Sequence, residues 1–158
     1  MNKVTLTFKI EIRASQLTVF DYVADWERQS DWIMFTTVKQ LSDPAKNSDI
    51  YLAATTKVGP FKVVDTMAVT TWQPPEKIVI EHTGRQVLGK GVFMVKKISD
   101  DRCEFVWEEI TPIPFAAVGR IGLFILMPFI RFFYDKSLRR MKAVIERGTD
   151  STVGYTFK

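Results

Sequence analysis

From residue 3 to residue 13 the chain alternates. Val4, Leu6, Phe8, Ile10 and Ile12 share one parity, and Thr5, Thr7, Lys9, Glu11 and Arg13 share the other. A period of two predicts a strand with one buried face. Ser15 then offers a capping oxygen ahead of Leu17, Val19, Phe20 and Val23, whose spacing predicts a short amphipathic helix. Asp25 is placed to cap a second short helix that holds Trp26 and ends near Trp32. Strand-like stretches follow at 36–41, 50–58, 61–72, 77–83, 92–98 and 102–111. Gly59-Pro60 marks a tight hairpin, Pro74-Pro75 ends a strand, and Ser99-Asp100-Asp101 is a turn. Strands joined by short turns predict an antiparallel meander. Within 61–72 the inward face stays open, because Met67 and Val69 compete with Val64, Ala68 and Trp72.

After Pro112 and Pro114 the period changes to that of a helix, from 116 to 147, with Gly148 as its expected terminator. At about 100° per residue, Leu123, Met127, Ile130, Tyr134, Leu138, Met141 and Ile145 form one apolar stripe, assigned to the sheet. Arg139, Arg140, Lys142 and Glu146 lie off it, on a solvated face. The first half carries a second stripe on the opposite side: Val118, Ile121, Ile125, Phe129 and Phe132. Either the short helices or a loop cover it, or it is a contact surface for a membrane or a second subunit. Pro128 predicts a kink. The order implies an α+β domain over 1–148, a curved seven-stranded antiparallel sheet around the long C-terminal helix, with two short helices after the first strand. Residues 149–158 form a tail with weak signals, expected to be loosely ordered.

Composition narrows the function. The 158 residues, 46% hydrophobic and 25% charged, are those of a globular domain able to bury a core without disulfides. One Cys and one His at no ligand spacing argue against a zinc site, and no cofactor is implied. Charges interrupt the N-terminus every few residues, so it has no signal-peptide core, and the expected location is the cytoplasm, with or without membrane association. The net charge of +4 is scattered, which argues against nucleic-acid binding. The aromatic content of 13% exceeds what a compact core needs, and suggests a lined cavity or an interface.

Three motifs carry a resemblance: V-F-D-Y-V-A-D-W at 19–26 with Trp32 after it, W-Q-P-P-E-K-I at 72–78, and F-V-W-E-E at 105–109. With the C-terminal helix, they make residues 3–147 resemble the START-like, helix-grip superfamily (SRPBCC, Bet v 1-like), which includes polyketide cyclases, lipid-transfer domains and the birch-pollen allergen type. The resemblance implies a helix-grip fold with an apolar ligand held between sheet and helix.

His82 shares parity with Ile78 and Ile80, so it points to the concave side, either to orient a ligand or as a hydrogen-bonded core residue. Asp65 and Glu109 are the acids placed to reach a cavity, although a strand bend near Pro112 would leave Glu109 at a wet rim. Phe93, Val95, Phe105 and Trp107 are inward candidates on adjacent strands, and Met127, Ile130 and Tyr134 face them from the helix. Gly89-x-Gly91 lacks the following helix of a phosphate loop and reads as a turn. The leading reading is binding or carriage of an apolar small molecule such as a lipid, isoprenoid or polyketide. Its alternatives are an aromatase/cyclase-type enzyme and a membrane-surface or protein-interaction module.

Overall fold

The computed structural model describes residues 3–42, 49–112 and 116–152, and within the last helix it describes side chains from 124 to 149. The strands are β1 (Lys3–Ile12), β2 (Thr36–Gln40), β3 (Tyr51–Val58), β4 (Phe61–Gln73), β5 (Lys77–His82), β6 (Lys90–Ser99) and β7 (Arg102–Pro112). Helices α1 (Gln16–Ala24) and α2 (Gln29–Trp32) follow β1, and α3 (Ala116–Thr152) follows β7. All seven strands form one antiparallel sheet in the order β1-β7-β6-β5-β4-β3-β2. The excursion through α1 and α2 lets the meander run away from β1 and return beside it, with Phe8 opposite Trp107 and Ile10 opposite Phe105.

The expected cap at Ser15 is present: its hydroxyl accepts from the Thr18 N–H at 3.1 Å. Asp25 has a different role from the one its position suggests. It is the C-cap residue of α1, and its carboxylate accepts from the Arg28 N–H across the turn that holds Trp26. The second helix therefore begins only at Gln29.

A bulge between Val69 and Thr71 explains the mixed parity of β4. Asp65, Met67 and Val69 face the concave side, and the extra residue then turns Trp72 to that side as well, against Phe20 and Trp26. The bulge also bends the strand, helping the sheet to curl around α3.

The core between sheet and helices is centred on Phe20, Trp32, Leu52, Ile78, Phe105 and Met141. α3 buries Leu138, Met141 and Ile145 and half-buries Met127, Ile130 and Tyr134, as the sheet-facing stripe requires. Its C-terminal half is tied to the end of β1: Glu146 accepts from the Arg13 N–H at 2.8 Å, and Lys142 donates to the Glu11 carbonyl at 2.6 Å. These ties continue the helix through Gly148 to Thr152. The helix also runs through Pro128 without interruption. Residues from 153 on, where most of the loosely ordered tail was expected, lie outside the described residues.

Candidate functional site

Between the sheet and α3 is a half-open cavity of about 170 Å³. Its apolar wall includes Met67, Ile80, Phe93, Trp107 and Phe133, and Asp65, His82, Glu109 and Tyr134 form a polar end. The two parts meet because alternate residues of neighbouring strands point the same way. β4 supplies Asp65 and Met67, β5 supplies Ile80 and His82, β6 supplies Phe93, and β7 supplies Trp107 and Glu109. Gly91 lies opposite Glu109, where a Cβ would come within 3.4 Å of the Glu109 carboxylate. Gly89, at φ 118, passes so close to β7 that a Cβ would collide with the Ile110 carbonyl.

His82 is held from both sides. Its Nδ1 lies 2.7 Å from Asp65 Oδ2, and its Nε2 lies 3.4 Å from Glu109 Oε2. Burial pushes the imidazole's pKa down, but hydrogen bonds and charge from the Asp65 and Glu109 carboxylates outweigh it and raise the pKa to about 9. At neutral pH the ring is therefore an imidazolium that donates from both nitrogens. Both nitrogens are engaged by carboxylates, which leaves neither facing an open metal position. Glu109 is positioned in turn: the Trp107 indole N–H donates to its Oε1 at 2.7 Å, and the Tyr134 hydroxyl bonds to the same carboxylate. Burial first, then the Glu109 charge and that bond, hold the Tyr134 hydroxyl well above the usual phenol range, so it stays a donor. Tyr134 is fixed by stacking on Phe8 at 4.1 Å and by an edge contact with Trp107 at 4.6 Å. The bond on the Asp65 side is short and the one on the Glu109 side long. The Nε2–H and Glu109 are thus the groups that a ligand's hydroxyl or carbonyl can most readily engage.

Six residues expected at the cavity line it: Asp65, His82, Phe93, Trp107, Glu109 and Tyr134. Val95 and Phe105 point inward but lie in the packed core, where Trp32 fills the space with edge contacts to Phe105 and Trp107. Met127 and Ile130, half-buried on α3, are not among the lining residues. The lining also includes Gln29 and Ile33 near α2 and Thr36 and Thr56 on β2 and β3, which no periodicity singled out. Gln29 is turned inward by its amide bond to the Val23 carbonyl, a contact with no local sequence signature.

No protein-family model matches the chain, and no curated protein matches it in sequence. Solved structures match it in shape. The Zhui aromatase/cyclase from Streptomyces sp. R1128 is 13% identical, with a TM-score of 0.80 covering 98% of this chain and 100% of that one. A START superfamily protein from Mycobacterium smegmatis is 14% identical, with a TM-score of 0.67 covering 90% and 97%. The di-domain ARO/CYC StfQ from the steffimycin biosynthetic pathway is 11% identical, with a TM-score of 0.70 over 94% of this chain and 52% of that one. At these identities the likeness establishes architecture: the chain has the START-like, polyketide-cyclase helix-grip fold. The fold alone fixes neither a ligand nor any chemistry.

Proposed function

We propose that this chain binds and carries an apolar small molecule, of lipid, isoprenoid or polyketide type, whose polar head lies against His82 and Glu109. The supporting observation is an apolar cavity that ends at an imidazolium held between two carboxylates. A cavity of about 170 Å³ has room for a group of about one aromatic ring, so the remainder of a longer ligand would extend through the open side. A proton held to about pH 9 makes His82 a donor at neutral pH and a poor base. That favours recognition over proton abstraction. The protein would work in the cytoplasm, and the exposed apolar half of α3 would meet the source of the ligand.

A second reading, an aromatase/cyclase-type enzyme, is favoured by the match to the Zhui aromatase/cyclase over the whole of both chains. In that case the same imidazolium would stabilise negative charge developing on a ligand carbonyl oxygen. The binding reading is tested by titrating the protein with para-hexylphenol and with hexylbenzene while following tryptophan fluorescence. The phenol should bind about tenfold more tightly, the value of one good hydrogen bond. His82→Gln should abolish that preference. Equal affinity for the two compounds, or no binding of either, would remove the proposed role of the polar end.

A further inference from the structure

The open end of the grip, where β7 ends and β4 begins, has an unusual surface. Phe35 from the turn before β2, Val58 and Phe61 from the sheet, Leu88 from the β5–β6 loop, and Phe124 and Phe129 from α3 are all exposed, with Phe61 at 74%, Phe124 at 81% and Phe129 at 71%. Their segments meet there. The Val64 N–H donates to Gln86, tying the β3–β4 hairpin to the β5–β6 loop, and Thr111 donates to the Leu88 carbonyl, tying that loop to the end of β7. Tyr134 lies against Trp107, so residues 124–132 continue from there along the helix axis, on the side where β7 runs out toward Pro112. Phe35 is held outward at φ 59, a left-handed conformation that costs a bulky residue free energy and is seldom kept without cause.

Cations predominate on this surface. Segments 57–64, 83–89 and 124–134 contain Lys57, Lys62, Arg85 and Arg131 and no Asp or Glu. All four side chains are exposed, and none forms an ion pair among the described residues. Lys57 and Lys62 sit opposite each other, two residues from the hairpin turn, on the same face of the sheet as Phe35. Large apolar side chains bordered mainly by cations, with Asp135 beyond Arg131 already paired to Arg139, match an anionic bilayer: the rings enter the acyl boundary while the cations stay among the phosphates. Among the described residues no helix is long and apolar enough to cross a membrane, so contact through α3 would be peripheral.

From this end we infer that the protein docks on anionic phospholipid bilayers through the β3–β4 hairpin, the β5–β6 loop and residues 124–132 of α3. Docking itself rests on the surface alone. The consequence, that the cavity then opens toward the membrane to exchange its ligand, rests on the binding function proposed above. Flotation of the full chain with phosphatidylcholine vesicles, with and without about 30% phosphatidylglycerol, tests it. Binding should require the anionic lipid and fall about tenfold or more in Lys57→Glu/Lys62→Glu and in Phe61→Ser/Phe129→Ser. Both double variants alter exposed positions, and thermal melting should show them folded. Failure of the wild type to bind anionic vesicles, or binding unaffected by either double variant, overturns the inference. So does light scattering that shows a dimer abolished by Phe61→Ser/Phe129→Ser, which would assign the surface to a second copy. The para-hexylphenol titration is made without vesicles. Loss of flotation with intact phenol binding therefore refutes docking alone, and the converse refutes the ligand reading alone.

Discussion

Replacing His82 with Gln removes the one cation from a buried pair of carboxylates. The His82 side chain is 8% exposed, Asp65 is 12% exposed, and Asp65 Oδ1 has no hydrogen-bond partner among the described residues. The imidazole's pKa stands at about 9 against 6.5 for a free ring, set by burial pulling it down and by Asp65 and Glu109 raising it further. Because the folded value lies above the unfolded one, the native state holds the proton more tightly. The stabilisation is complete below about pH 6.5 and is lost as the pH rises through about 9. At about 1.4 kcal/mol per pH unit, the interval between 6.5 and about 9 corresponds to about 3 kcal/mol. Breaking a buried ion pair by removing one partner costs about the same, roughly 3–5 kcal/mol. Equilibrium urea unfolding of wild type and His82→Gln at about pH 6 and about pH 10 measures it. The wild-type advantage should shrink by about 3 kcal/mol between the two. Titrations common to both proteins cancel in the difference. An advantage that stays constant, or grows with pH, would refute the imidazolium between two carboxylates.

Gly89→Ala should destabilise the fold by more than about 3 kcal/mol, because backbone strain at positive φ adds to a collision with the Ile110 carbonyl. Gly59→Ala, also at positive φ but with open space around it, should cost only about 1 kcal/mol on the same denaturation assay. Trp107→Phe keeps a ring against Tyr134 but removes the N–H that holds Glu109. It should cost about 1.5–3 kcal/mol in stability.

The architecture was legible wherever one physical rule dominated a segment. The alternation of β1 and the stripe from Met127 to Ile145 each reflect a single buried face, and parity alone turned His82, Phe93, Trp107 and Glu109 inward. β4 was ambiguous because a bulge at Thr70 changes parity in mid-strand, and nothing in T-M-A-V-T-T-W announces a bulge. Val95 and Phe105 have inward parity too, but parity cannot tell core from cavity. Trp32, arriving from a four-residue helix, fills their half of the grip. Gly148 carries the usual signal for a helix end, yet tertiary ties through Lys142 and Glu146 override it. The second stripe of α3 was visible in the sequence, but whether anything covers it depends on distant elements. In the structure Ile125, Phe129 and Phe132 are exposed, while the side chains of Val118 and Ile121 lie outside the described residues.

Native mass spectrometry of the purified protein before and after organic extraction shows whether the cavity holds an apolar ligand. The wild type should carry a discrete apolar adduct that extraction removes. The adduct should be absent from Ala54→Phe, in which a ring grows into the cavity from β3. A bare wild-type mass that stays bare after incubation with lipid, isoprenoid and polyketide mixtures would contradict an apolar ligand in the cavity, as would an adduct that Ala54→Phe retains in full.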